Sequence, residues 1–333
     1  LYRIEKKGGD KMKEFTGKVA FITGGASGAG LGQAKVFSEA GCKVAIADIR
    51  QDHLDEAIAY FKEKNAEVHA IKLDLTDRQA YIAAADEVEK VFGEPPQLVI
   101  QTAGVNTFGP AEASTFEDYD WVVGVDLDAV INGMVIFVPR MIKAGKGGHV
   151  AAVSSWGGFL ASPGCTPYSV AKAGVNMLME CYWSALKPYG IGVTCLCPTN
   201  INSNIGEAVY TRPERFKNTG YHVNEKTIDH LRSIHAQGMD PVELAQILKK
   251  GIEDDVLFVL PFTDDPEAEM RQHCDTLMNY VTKEGMQRVE EETRKRREAM
   301  ASASGPAGFP RNEVGWGKAR SDLTWVKDHY EEK

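Results

Sequence analysis

The chain has 333 residues, 43% hydrophobic and 26% charged, with a formal net charge of −9. Length and apolar share suit a globular core in one large domain or two, and the acidic balance argues against nucleic acid as the main partner. No apolar run reads as membrane-spanning and no signal-peptide pattern opens the chain; six cysteines match no zinc or disulfide framework, so reduced thiols in the cytoplasm are expected.

Residues 1–11 read as lying outside the fold. The chain opens on Leu1, and Met12 closely precedes the first strand. Lys7-Gly8-Gly9-Asp10 can be encoded by purine-rich codons resembling a ribosome-binding site, so Met12 is the expected start and 1–11 a translated leader, an expression remnant or a natural extension. From there to about residue 262 strands and helices alternate. Lys18–Thr23 is a strand, followed by the turn Gly24-Gly25-Ala26-Ser27-Gly28-Ala29-Gly30 and a helix to about Ala40 capped by Gly41. A strand from Lys43 ends in Asp48, a helix covers about Asp52–Lys64, and Val68–Leu73 is a strand ending at Asp74-Leu75. A helix over Asp77–Phe92, a strand over Leu98–Thr102 ending at Ala103-Gly104, and a long helix over Phe116–Ala144 follow. Val150–Val153 is a strand delivering Ser154 and Ser155; a helix from about Pro167 to Lys187 carries Tyr168 and Lys172, and Gly192–Cys197 is a strand ending at Pro198. Repeated βα units predict an α/β fold, a doubly wound parallel sheet of Rossmann type with helices on both faces.

After Pro198 the periodicity weakens. Residues 203–240 hold aromatics, arginines and histidines without a clear face, as a substrate lid does. Asp240-Pro241 opens a helix to about Ile252, and Val256–Pro261 is a last strand. Residues 263–333 read as a helical C-terminal extension, very polar over Glu290–Arg297, and a Gly-, Ala-, Pro- and Ser-rich tail with Trp316 and Trp325. This extension is expected to cover a neighbouring subunit's active site.

Two constellations carry chemistry. The first is strand, Gly-rich turn, helix, strand, acid. Glycines let the backbone approach a pyrophosphate, which a helix N-terminus favours, and Asp48 lies 18 residues past Gly30, near the spacing of about 20 expected of an acid on the adenosine ribose. A carboxylate there accepts from a 2′-hydroxyl and repels a 2′-phosphate, so NAD is expected over NADP, although Arg50 could swing in. The second is Ser155 with Tyr168 and Lys172, four apart on one helix face at the carboxyl end of a strand. A phenol near pKa 10 is a poor base at neutral pH; bringing it to about 7 or 8 takes roughly 3–4 kcal/mol. An adjacent ammonium and a cationic nicotinamide could supply that. Tyr168 could then take an alcohol's proton while Ser155 holds the same oxygen. Tyr-x-x-x-Lys alone is common and would not carry this expectation.

With these motifs in order, the chain resembles the short-chain dehydrogenase/reductase superfamily, in its short single-domain branch. The matching residues are Thr23-Gly24-x-x-x-Gly28-x-Gly30, Asp48, Asp74-Leu75, Ala103-Gly104, Ser155, Tyr168-x-x-x-Lys172 and Pro198. The spacing of 13 to Tyr168 selects Ser155 over Ser154. The resemblance implies Tyr168 as acid/base, Lys172 on the nicotinamide ribose and Ser155 on the substrate oxygen. It places Gly24, Ser27, Gly28, Gly30, Asp48 and Ile49 along the dinucleotide, with Asp74 and Leu75 at the adenine and Ala103 and Gly104 beside it. Pro198 and Ile201 fall against the nicotinamide, and Ser203 binds its carboxamide or a phosphate. No metal is implied, and the family forms dimers or tetramers through its two long helices. Three departures stand out: Gln101-Thr102-Ala103-Gly104 for Asn-Asn-Ala-Gly, Pro198-Thr199 for Pro-Gly, and Asp126 where a fourth catalytic Asn usually stands. Asp126 can still accept from a water and would favour a protonated Lys172.

Ala103-Gly-Val-Asn106, Ile131-Asn-Gly-Met134, Phe137-Val-Pro-Arg-Met141, Asn200-Ile-Asn-Ser-Asn-Ile205 and Ser233-Ile-His235 are similar to bacterial Cα-dehydrogenases of lignin β-aryl ether breakdown. That resemblance implies NAD-dependent oxidation of a secondary alcohol beside an aromatic group. Phe108, Trp156, Phe159, Tyr210, Phe216 and Tyr221 would suit such a ring, and a steroid equally well. The alternatives are a hydroxysteroid or bile acid dehydrogenase, a ketone reductase, or a catalytically silent dinucleotide-binding protein.

Overall fold

A computed structural model describes residues 12–261, 267–278, 291, 294 and 295. The expectations for 1–11, for the charged run near 290–297 other than those three residues, and for the tail to 333 lie outside the described residues. The chain divides into two compact units, Leu1–Thr263 and Asp264–Lys333. In the second, the helix α9 (Glu267–Met278) is described.

The first unit is built on seven parallel strands in the order β3-β2-β1-β4-β5-β6-β7. These are β1 (Val19–Thr23), β2 (Lys43–Asp48), β3 (Val68–Lys72), β4 (Leu98–Gln101), β5 (Gly148–Val153), β6 (Ile191–Leu196) and β7 (Phe258–Val259). Every residue of β1 and β4 is buried, which explains why these strands read as unbroken apolar runs: helices cover both faces of the sheet. The helices are α1 (Gly28–Glu39), α2 (Gln51–Glu63), α3 (Arg78–Phe92), α4 (Phe116–Val123), α5 (Ala129–Ala144), α6 (Thr166–Leu186), α7 (Glu225–Ala236) and α8 (Pro241–Asp254). Local chemistry fixes their ends. Asp77 accepts from the amides of Gln79 and Ala80 at the start of α3, Thr115 and Asp118 form a reciprocal capping box on α4, and Asp240 caps α8. The chain reverses its winding between β1 and β4, and the crevice at their carboxyl ends is where such sheets take ligands.

Three expectations need correction. The helix over Phe116–Ala144 is long and apolar enough to cross a membrane by length and composition, contrary to the sequence reading. Its most apolar stretch is 61% buried against the rest of the protein, as a core helix is. The last strand shrinks to Phe258–Val259. The segment after Pro198 is also more ordered than its periodicity suggested. It contains a short 3-10 helix (Asn204–Thr211), a further 3-10 turn (Glu214–Phe216) and α7. Asn224 caps α7 through the Thr227 amide, but only Ile228 and Leu231 are buried along it, too few to set a visible period.

On the interior strand β5 His149 is buried, its Nε2 2.8 Å from Thr194 Oγ1 on β6, and that hydroxyl donates to the Val256 carbonyl at 2.8 Å. Burial pushes the His149 imidazole down to about 3, so the fold requires it neutral. Protons bind the unfolded chain first, and stability present above the unfolded pKa near 6.5 falls as pH drops toward 3. We expect His149→Gln to remove up to about 1.4 kcal/mol per pH unit of that slope between pH 6 and 4. Urea denaturation across this range measures it; an unchanged slope would mean that the native imidazole takes up a proton.

Candidate active site

The cofactor end of the crevice is made by backbone. Gly24 turns with φ +63°, and a Cβ there would lie 2.8 Å from the Cα of Ala103. A Cβ on Gly30 would stand 2.1 Å from the Gly24 carbonyl oxygen; only glycine lets α1 start this close to the turn. Ser27 sits at the N-cap of α1 without a side-chain cap bond, leaving the first amides of the helix for an anion. Asp48, ending β2, accepts from the amides of Ala26 at 3.3 Å and Arg50 at 3.0 Å. Arg50 does not swing toward it: its guanidinium is bound fork-to-fork by Asp52. Asp74 accepts from both the amide and the hydroxyl of Thr76, at 2.9 and 2.7 Å, which fixes the Asp74-Leu75 turn. Thr23 Oγ1 accepts from the amides of Thr102 and Ala103, seating the strand end before Gly104. Ile201 is held by a bridge to Met239, and Ser203 lies over Gly28. Pro198 accepts from the Trp156 amide at 2.9 Å.

The chemical end is made by side chains. The two serines ending β5 part company. Both line the cleft, but Ser154 donates to the Lys172 carbonyl at 3.0 Å, while Ser155 Oγ accepts from the Gly157 amide at 3.1 Å. Thr166-Pro167 starts α6, and the first turns carry Tyr168 and Lys172. The Lys172 ammonium lies 5.3 Å from the centre of the Tyr168 ring and donates to the Val153 carbonyl at 3.0 Å.

Asp126 is brought to the same ammonium by a defect in the long helix. Between α4 and α5 the helix opens into a π-helical turn over Gly124–Asp128, a widening often found where a helix must aim a functional side chain. Asp126 is completely buried. Its Oδ1 accepts from the Val105 amide at 2.7 Å, and its Oδ2 is 3.1 Å from Lys172 Nζ, an ion pair without good hydrogen-bond alignment. Asn132 faces elsewhere, accepting from Arg78 and donating to the Leu75 carbonyl.

These contacts revise the expected electrostatics. With the chain's own groups alone, burial pushes the Tyr168 phenol up; the Lys172 ammonium pulls it back, and the Asp126 carboxylate adds to the rise. Burial likewise raises the Asp126 carboxyl against the pull of Lys172. For Lys172 burial acts downward, but Asp126 and Tyr168 outweigh it and hold the ammonium above its ordinary value. Lys172 therefore does not by itself bring Tyr168 to neutral pH, because burial outweighs its pull and Asp126 adds to the rise.

Both ends belong to one cleft of about 530 Å³, lined by every one of the sequence-predicted site residues except Asp126, which stands behind Lys172. Of the six aromatics expected at the substrate end, Phe108 and Phe216 line it. Trp156 and Phe159 instead pack together, Phe159 reaching Phe258 on the edge strand; Tyr210 bonds Glu225; and Tyr221 is buried against Gly109. Trp121 lines the cleft and was missed; Arg215 and His235, which the sequence placed in the lid segment, line it too. Trp121 had a signal, being one helical turn before Val125 and next to the Asp126 position.

Residues 18–214 match the short chain dehydrogenase family. The chain is 49% identical over 289 residues to a C alpha-dehydrogenase of Sphingobium sp. strain SYK-6, covering 87% of this chain and 94% of that protein. The apo structure of LigO from the same strain is similar at 41% identity and TM-score 0.70, over 86% of this chain and 98% of that one. A short chain dehydrogenase/reductase from Burkholderia phymatum, solved in complex with NAD, is 27% identical with TM-score 0.75, over 80% of this chain and 97% of its own. The chain belongs to the short chain dehydrogenase family and is an oxidoreductase of that family.

Proposed function

We propose that this enzyme oxidises a secondary alcohol beside an aromatic group to the ketone, reversibly and with NAD. The observation that carries the reading is the convergence of Ser155, Tyr168 and Lys172 on one wall of a cleft whose other end offers Asp48 and the glycine turn. The half-buried Asp48 carboxylate, with Arg50 engaged by Asp52, fits a ribose 2′-hydroxyl and disfavours a 2′-phosphate. Bound NAD supplies the acceptor for the hydride that leaves the carbinol carbon. The Tyr168 phenolate takes the hydroxyl proton as the carbonyl forms, and the Ser155 hydroxyl donates to the same oxygen. Lys172 holds the nicotinamide ribose and favours the phenolate; Asp126 keeps Lys172 protonated. The aromatic group rests against Phe108, Trp121 and Phe216, and residues 203–240 form the covering segment. The likeness to the C alpha-dehydrogenase supports an aryl alcohol over a steroid.

The assembly is a homodimer or homotetramer through α5 and α6. Their outer faces expose Val135, Val170 and Met177, the last at 62%, apolar area that a partner subunit would cover. All six cysteines are free, which fits a cytoplasmic enzyme.

We expect reduced nicotinamide to form from aryl secondary alcohols with NAD, and NADP to be at least about a hundredfold worse, since like charges in contact cost several kcal/mol. Absorbance assays against aryl alcohols and hydroxysteroids decide this; turnover of steroids alone discards the aryl substrate but keeps the mechanism. Tyr168→Phe should lower kcat by about 10²–10⁴ while NADH titration shows binding retained. Asp126→Asn removes the charge that raises Tyr168, so the rise of kcat/KM with pH should move about one unit toward acid. A pH–rate profile that does not move would remove Asp126 from the proton chemistry. Met177→Glu should shift the protein to smaller species in size-exclusion chromatography.

A further inference from the structure

We propose that Arg215 forms an anion subsite at the substrate end of the cleft and selects aryl alcohols that carry a carboxylate. This rests on the functional reading above and narrows its substrate class.

The cations on the cleft differ in their partners. Lys172 faces Asp126, and Arg50 is held by Asp52. Arg215 also lines the cleft, and no carboxylate partner is found for it among the described residues. The cleft's acids offer it nothing: Asp48 and Asp74 accept from neighbouring amides, and Glu207 is bonded to Arg232. Glu214, next in sequence, pairs with Lys217.

Arg215 is exposed, yet it does not sit on a loose loop. Arg212, only 7% exposed, donates to Asp118 Oδ1 at 2.6 Å, to the Phe216 carbonyl, and to the Asn218 carbonyl at 3.1 Å. The Thr115 hydroxyl donates to that same Asn218 carbonyl at 3.0 Å. The turn Glu214–Phe216 is thus tied on its inner side to the start of α4. It presents Phe216 to an apolar cluster with Trp121, Val125 and Tyr168, and the Arg215 guanidinium stacks 4.7 Å from the Phe216 ring centre. An aromatic wall near the phenol, with a planar, unpaired cation stacked on it, matches a flat substrate ring bearing a carboxylate. The guanidinium can grip that group with two hydrogen bonds.

The test compares two substrates, phenyl methyl carbinol with a para-carboxylate and the same alcohol with a para-carboxamide, using NAD. Arg215→Gln should lower the carboxylate-to-amide ratio of kcat/KM about tenfold, through KM, because a charge-assisted pair is replaced by a neutral one. Arg215→Lys should restore part of the ratio, and salt should raise KM for the carboxylate in the wild type. An unchanged ratio, or equal losses on both compounds, overturns the inference, leaving Arg215 as a packing partner of Phe216 only. If the wild type turns over neither compound while oxidising other alcohols, the aryl reading falls and this inference with it.

Discussion

A lysine ammonium that is 97% shielded from solvent cannot stand alone, and the active end of this molecule is arranged around that constraint. Lys172, carried by α6, meets partners from two other elements: β5 offers the Val153 carbonyl, and the π-helical turn between α4 and α5 offers Asp126. An ordinary α-helix at this point would not have the π-helical turn that sets Asp126 where it is. Removing one member of such a pair leaves an uncompensated buried charge, which typically costs about 3–5 kcal/mol. The geometry that holds Tyr168 is therefore also part of what holds the sheet to its helices.

That arrangement has an electrostatic consequence for chemistry. A neutral side chain at position 126 would leave the whole field of Lys172 to act on Tyr168. Asp126 divides it: the ammonium is stabilised, and the carboxylate adds to the burial that keeps the phenol up. With Tyr168 as the proposed base, alcohol oxidation needs the phenolate, and proton removal would then depend on a second positive charge near Tyr168. An oxidised nicotinamide carries one. Burial, with Asp126 adding to it, thus leaves the phenol poised upward, and under the proposed mechanism a cationic nicotinamide beside Tyr168 would couple dinucleotide binding to proton transfer.

Much of this was legible in the sequence, for physical reasons that can be named. Buried parallel strands leave apolar runs, glycines mark where backbone must pass backbone, and Asp48 and Tyr168-x-x-x-Lys172 fall at spacings set by one strand and one helical turn. The corrections concern features with no such period. The π-helical turn at Gly124–Asp128 has nothing to distinguish it from α-helix in composition. The covering segment after Pro198 is built from 3-10 turns pinned by Arg212, whose partner Asp118 lies 94 residues away, and no local pattern reveals that pairing. The six aromatics were chosen by position in the chain, whereas exposure to the cleft depends on which way each turn faces. Tyr221 spends its ring on Gly109 and its hydroxyl on Ser114.

Three arginines near the cleft show the same point in charge. Arg50, Arg212 and Arg215 look alike in the sequence, each beside turn-forming residues. Arg50 meets Asp52 two positions on, and its charge is spent at the surface, away from Asp48. Arg212 meets a buried carboxylate and two carbonyls, so it is a structural tie, stacked 5.1 Å from the Trp121 ring. Because Arg212 fixes the turn and the neighbouring Glu214 is taken by Lys217, Arg215 has no carboxylate partner among the described residues, and the proposal gives its hydrogen-bonding edge to a substrate. The disposition of the carboxylates, more than that of the arginines, decides which of the three can act on a substrate: each carboxylate withdraws one cation, and the cation that remains stands on the aromatic wall beside Tyr168.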